Sequence, residues 1–159
     1  MNANPTPSLI GRLAGLYCLA AGLLAKLEPL LLLGFRLYIA RVFFLSGLTK
    51  VRDWSSTVAL FTDEYHVPLL SPAVAAGLGA ATELSMPVLL VLGLASRLAA
   101  GWLFVFNIVA VVAYYETLTQ TGGVNDHILW GTILAVLTIC GPGRIAVDTL
   151  VERRFAPGS

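Results

Sequence analysis

Four ionisable residues stand within or at the ends of the longest apolar runs of the chain: Arg41 and Lys50 in RVFFLSGLTKVRDW, Glu83 in ATELSMPVLL and His127 in DHILWG. An isolated charge at mid-bilayer depth costs about 2.5–3.5 kcal/mol even on lenient insertion scales. Such residues therefore face a protein interior and pair, and they mark proton relays or substrate paths. Arg41 lies about twelve residues into the first run and Glu83 about twelve into the second. Antiparallel neighbouring helices would hold the two at similar depth, which predicts an ion pair between them. Asn107, near the middle of the third run, adds an amide that donates and accepts across helices. Arg41, Glu83 and Asn107 form a candidate intramembrane polar site.

A second group lies toward one end of the same runs. Lys50 and Asp53 close the first, Tyr114 with Tyr115 and Glu116 closes the third, and Asp126 with His127 opens the fourth. Lys50, Asp53, His127 and Tyr114 form a candidate outer-rim site. Histidine changes charge near neutral pH, and a neighbouring carboxylate tunes it. Nine residues separate Arg41 from Lys50, about 13.5 Å of rise and roughly opposite faces of a helix, so the two cations serve different points. Arg36 lies close enough to the other end of its run to snorkel to the interface. His66 falls in a loop, and no second histidine stands at metal-ligand spacing from His127, so no metal site is expected. Cys18 and Cys140 sit singly in apolar runs, which reads as two small buried thiols.

Helices must position these groups. Hydrophobic residues make up 57% of the 159 and charged residues 12%, with a mean hydropathy of +0.83, far outside soluble usage. Four stretches of spanning length follow, at about 29–50, 72–93, 98–115 and 124–141. Period-two alternation is absent, which excludes a barrel. The reading is an all-α integral membrane four-helix bundle forming a single domain over 1–159. Segment 1–28 carries Leu9, Leu13, Leu16, Tyr17, Ala20, Leu23 and Leu24 at helical spacing between Arg12 and Lys26, which predicts an interfacial amphipathic helix. The long connection at about 51–71 predicts a structured outer loop, with Asp53, Ser55 or Ser56 capping a short helix that carries Val58, Phe61 and Tyr65. Ala73, Gly77 and Ala81, beside Ala76 and Ala80, form small-residue rows for close packing. Arg12, Lys26, Arg97, Arg144, Arg153 and Arg154 gather on one side, placing both termini and the 142–159 tail in the cytoplasm. A net charge of +1 offers no basic surface for nucleic acid.

Taken together, Arg41, Gly47 and Lys50 in RVFFLSGLTKVRDW, Glu83 in ATELSMPVLLVLGLASRLAA, His127 in DHILWG and the closing GPGRIAVD resemble the DoxX family of small four-helix bacterial membrane proteins. The resemblance covers about residues 30 to 150. It implies kinship with the DoxD-type membrane subunit of thiosulfate:quinone oxidoreductase and with redox-stress complexes, and it makes Arg41, Lys50, Glu83 and His127 the characteristic polar positions. Paired cysteines and cofactor motifs are absent from this sequence. The function expected is a multi-pass protein of the bacterial cytoplasmic membrane, the membrane subunit of a quinone-linked redox system. Quinone is the candidate cofactor, and a homo-oligomer or a partner redox subunit would complete it. A non-catalytic accessory or partner-docking subunit is the alternative, followed by a small oligomeric transporter.

Overall fold

The computed structural model describes residues 9–65 and 67–155. Residues 1–8 and 156–159, His66 and the Arg153 side chain lie outside the described residues, so the readings of His66 and Arg153 are not addressed by it. Eight helices follow among the described residues: α1 (Leu9–Ala25), α2 (Glu28–Arg52), α3 (Trp54–Asp63), α4 (Pro72–Leu92), α5 (Ser96–Ala113), α6 (Tyr115–Thr121), α7 (Val124–Cys140) and α8 (Val147–Phe155). The four longest elements of the folded body, α2, α4, α5 and α7, cover the four apolar stretches of the sequence. They pack in a closed circuit, α2 on α4, α4 on α5, α5 on α7 and α7 on α2, with the α2–α4 and α5–α7 contacts the most extensive.

Among the described residues three helical stretches are long and apolar enough to cross a membrane, and a fourth is counted if α6 and α7, bent by 109° to one another, are taken as one span. The first of the three is α1 and α2 read together, 44 residues from Leu9 to Arg52. At 1.5 Å per residue that is about 66 Å, twice the roughly 30 Å of a hydrocarbon core, so α1 and α2 cannot share one span. The break between them has a local cause. Pro29 lacks an N–H and its ring crowds the carbonyl four residues earlier, so Lys26 and Leu27 bond three residues back, at 3.2 and 2.9 Å, and the helix restarts. None of the residues of α1 is buried.

Close packing of α2 on α4 depends on Gly47. A Cβ there would sit 2.9 Å from Leu84 Cγ and 3.0 Å from Glu83 Cβ, distances that real Cβ atoms do not tolerate. On the α4 side the residues turned inward are Ala75, Ala76, Gly79 and Ala80, whereas Ala73 and Ala81 face outward. The small-residue row that packs is therefore one position over from the row Ala73–Gly77–Ala81. Ile39, Leu90, Leu103 and Leu134 are fully enclosed and form the core, and Phe43 sits at its edge, in T-shaped contact with Phe106 and Trp130.

One end of the circuit is closed by side chains that cap backbone. Arg36, only 1% exposed, donates from Nε to the Leu90 carbonyl at 2.7 Å and from Nη2 to Val91 at 2.8 Å, the last turn of α4. Its Nη1 reaches the carbonyls of Pro142 at 3.1 Å and Ile145 at 2.6 Å. The expectation that Arg36 snorkels to the interface is thus corrected: four orphan carbonyls at a helix end and its adjoining turn draw it inward. Arg97 serves the end of α7 in the same way, through the carbonyls of Thr138, Ile139 and Cys140. Asp148 does the reverse for α5, whose N-cap residue Ala95 has no side-chain acceptor: its carboxylate takes the N–H of Ala95 at 2.7 Å and of Ser96 at 2.8 Å. Both cysteines are exposed, contrary to their reading as buried thiols, because α1 buries nothing and Cys140 falls on the outward side of the last turn of α7.

The Gly47 contact makes a sharp prediction. Gly47→Ala should lower stability by about 1–3 kcal/mol through overpacking against α4. Gly34→Ala, where nothing lies within 4 Å, should be neutral or slightly stabilising. Denaturant-induced unfolding of the detergent-solubilised protein measures both, and equal effects would contradict the proposed close approach.

Candidate functional site

Toward the opposite end of the circuit, α2, α4, α5 and α7 diverge around a cavity of about 470 Å³, within the range of roughly 300–1,000 Å³ usual for small-molecule sites. Its walls are apolar, with Phe43 at the core side and Phe106 and Val109 on α5. The polar groups that reach it are few: Ser46, Lys50, Thr82, Glu83, His127 and the phenol-bearing Tyr65.

Lys50 and Glu83 form the central contact. The ammonium lies 2.7 Å from Glu83 Oε2 and 3.0 Å from Oε1, and donates to Ser46 Oγ at 3.0 Å. Ser46 in turn donates to Glu83 Oε1 at 3.2 Å. The two charged side chains are 14% and 7% exposed, so the pair is held away from solvent.

His127 enters from α7 and is oriented by Asn107 of α5. Asn107 Nδ2 donates to the His127 backbone carbonyl at 3.0 Å, which fixes its Oδ1 toward the imidazole, 2.8 Å from Nδ1. An amide oxygen only accepts, so in the neutral ring Nδ1 carries the proton and Nε2 is left as an acceptor. Gly131 lets the amide sit there, since a Cβ on it would come within 3.2 Å of Asn107 Nδ2. Trp130 meets the imidazole edge-on at 4.8 Å between centroids.

A roof covers the site. Asp53 caps α3, accepting from Ser56 N at 3.0 Å, Ser56 Oγ at 2.6 Å and Ser55 Oγ at 2.9 Å, and these bonds hold its carboxyl below the usual range. The helix brings Phe61 over the cavity, and the chain then adds Tyr65, Val67 and Leu70. Phe61, Tyr65 and Tyr114 stack in sequence, with centroids 4.8 and 4.2 Å apart. Tyr114 also donates to Glu64 Oε2 at 2.7 Å. Burial, then the nearby Tyr114, Glu83 and Glu64, push the Tyr65 phenol up to about 12, so it stays protonated through the physiological range.

A family model named DoxX matches residues 31–116, more than half of the chain and the whole of α3, α4 and α5 with most of α2. The chain belongs to the DoxX family. No curated protein and no solved structure matches it. Within this DoxX protein the match includes Lys50, Glu83, Asn107 and Tyr114, whereas His127 lies beyond it.

The sequence-based pairing of Arg41 with Glu83 is corrected. Arg41 is exposed on the outer surface of α2, and Glu83 pairs with Lys50. Depth counted along Cα positions misleads here, because helical side chains lean toward the N-terminus. Lys50, at the end of α2, reaches back a full turn to Ser46 and so meets Glu83 from above. The predicted midplane layer therefore divides: Glu83 joins Lys50, and Asn107 joins His127. Asp53 and Tyr114 do not line the cavity; one caps the roof helix and the other backs Tyr65. Ser46, Thr82, Tyr65, Trp102 and Trp130 line it without having been singled out as site residues. Ser46 carried a usable signal, standing four residues before Lys50 on the same helical face. Among the described residues no three of His, Cys, Asp and Glu gather where they could hold a metal ion.

Removing one charge of the buried pair should hurt more than removing both. Lys50→Met leaves Glu83 uncompensated and should cost about 3–5 kcal/mol, whereas the Lys50→Met/Glu83→Met double variant should recover most of that loss. A double-mutant cycle on unfolding free energy measures the coupling, and strictly additive losses would refute it.

Proposed function

We propose that this DoxX protein is the membrane subunit of a quinone-linked redox system and that its cavity takes the quinone head group. The observation that carries the reading is the roofed, mostly apolar cavity whose lining includes Lys50 with its partners Glu83 and Ser46, and His127, whose Nδ1 is engaged by Asn107. A flat ring bearing oxygens at its edges fits that chemistry: aromatic and aliphatic walls hold the ring, an N–H of Lys50 donates to one oxygen, and Nε2 accepts from a hydroxyl. Bound quinone supplies reversible uptake of two electrons and two protons. Residues of the chain position the oxygens and handle the protons. Glu83 holds the Lys50 ammonium in place, Asn107 keeps the His127 lone pair free to receive a proton, and the Phe61–Tyr65–Tyr114 stack excludes water. Electrons come from a partner redox subunit.

In this reading α2, α4, α5 and α7 form a four-helix bundle in the bacterial cytoplasmic membrane. Both termini face the cytoplasm, in keeping with Arg12, Lys26, Arg97, Arg144 and Arg154 on one side. A second reading, a non-catalytic accessory subunit, is favoured by the Lys50–Glu83–Ser46 cluster, whose contacts are made within the chain and would serve as a register pin. The Lys50→Met/Glu83→Met double variant, in which no charge is left unpaired, separates the two, since a pin predicts unchanged quinone binding once the fold is kept and a redox site predicts its loss.

Trp102 and Trp130 line the cavity and make binding visible. A short-tailed quinone added to the detergent-solubilised protein should quench their fluorescence saturably. His127→Leu should weaken the apparent affinity roughly three- to tenfold, the worth of one hydrogen bond. Ala110→Phe, which fills the cavity from α5, should abolish saturable quenching. Quenching that is non-saturating, or unchanged by Ala110→Phe, would sink the proposal.

A further inference from the structure

Arg41 lies midway along α2, exposed, and among the described residues it makes no ion pair and no side-chain hydrogen bond. It borders an outward-facing groove of about 340 Å³ between α2 and α4, whose other walls include Leu37 and Phe44 of α2 and Pro87, Val88 and Val91 of α4. Leu37, Phe44, Val88 and Val91 are 36–47% exposed, so the groove opens away from the circuit of helices toward the surroundings of the protein. On a helix that crosses a bilayer those surroundings are acyl chains. A guanidinium left among them is costly, and it cannot shed its proton to escape the cost.

The geometry gives it a direction. Side chains of α2 lean toward its N-terminus, so Arg41 leads along the groove toward Val91 in the last turn of α4. That turn is where Arg36 gathers the Leu90 and Val91 carbonyls. Arg41 is five residues from Arg36, about 7.5 Å farther along the helix axis, which is within the compass of a snorkelling arginine. The groove is thus apolar along its length with one cation that points to the membrane face where α4 ends. Among the described residues no carboxylate lines it.

We propose that this groove is a binding site for an anionic phospholipid, with one acyl chain lying against Leu37, Phe44 and Val88 and the phosphate taken by Arg41. A planar guanidinium grips phosphate oxygens in pairs, which suits it to this ligand. Lipids of net negative charge are preferred because the cationic group of a zwitterionic head group already offsets the charge of its phosphate. A second copy of the chain is the poorer occupant. Docked on a two-fold axis over this groove, it would bring Arg41 against its own equivalent with no carboxylate there to answer either charge. The site is separate from the cavity and independent of the quinone reading.

The test is native mass spectrometry of the detergent-solubilised protein titrated with phosphatidylglycerol and phosphatidylcholine of identical acyl chains. Wild type should retain phosphatidylglycerol about tenfold better than phosphatidylcholine, and Arg41→Gln should erase that preference. Arg41→Lys should keep part of it, and Arg12→Gln on α1 should leave it intact. Val88→Trp, which blocks the groove without changing charge, should also lose phosphatidylglycerol. An unchanged preference in Arg41→Gln or in Val88→Trp would overturn the proposal. So would an Arg41→Gln variant whose lipid retention is unaltered while its oligomeric mass falls, since a protein would then be the occupant.

Discussion

A carboxylate set into the middle of an apolar helix must be answered from a neighbour, and in this chain the whole upper half of the molecule is arranged around the answer to Glu83. The Lys50 ammonium meets it at 2.7 Å, but only because α2 and α4 lie close enough for a lysine at the end of one helix to reach into the other. Gly47 permits that approach, about one turn below Lys50, where a Cβ would run into Glu83 Cβ and Leu84. The small residues Ala76, Gly79 and Ala80 continue the inward face of α4 from there. Of these Gly79, together with Ala75, lines the cavity beneath Phe61 and Tyr65, where a larger side chain would fill it. Ion pair, close approach and cavity are consequences of one another.

The two ends of the molecule solve different problems. At the Arg36 end, three charged side chains are spent on backbone: Arg36 and Arg97 gather the terminal carbonyls of α4 and α7, and Asp148 takes the first N–H groups of α5. These long-range caps fix the helix ends against one another. At the Lys50 end, side chains bond side chains, and the helices are bridged by an aromatic stack whose central phenol, Tyr65, remains neutral at any physiological pH. The backbone caps lie at one end, and the cavity of about 470 Å³ lies at the other, among side chains that bond one another and stack. That division is the arrangement a ligand site needs, since pocket walls hold their geometry only when the scaffold beneath them is fixed.

Hydropathy alone made the long helices legible, because a run of about twenty apolar residues leaves the backbone no solution but a helix. The cap on α3 was legible too: Asp53 with Ser55 and Ser56 is a local pattern, and local patterns can be read in one dimension. Charge pairing could not be read that way. Arg41 and Lys50 were correctly separated by face, yet Glu83 was assigned to the wrong one, because depth was counted from backbone positions and not from where a leaning side chain ends. Arg36 was hidden for a different reason. Its partners are carbonyls 54 to 109 residues away, and carbonyls are present at every position of every sequence. The Asn107–His127 contact escaped because the two had been placed in different layers, although α7 begins at Val124 as expected and the amide meets both the His127 carbonyl and its ring.

Arg36 and Arg41 sit on one helix five residues apart, and the contrast between them shows how a chain this short divides its surfaces. Five residues turn the helix by about 500°, so the two side chains leave on faces some 140° apart. Arg36 looks into the circuit and finds four carbonyls; Arg41 looks out and finds Leu37, Phe44 and Val88. The first is satisfied by the fold and can therefore be buried. The second is satisfied by nothing in the described chain, so whatever meets it comes from the membrane or from what the membrane contains. A charge that the fold does not neutralise is a demand on the environment, and α2 carries both the internal and the external version of that demand.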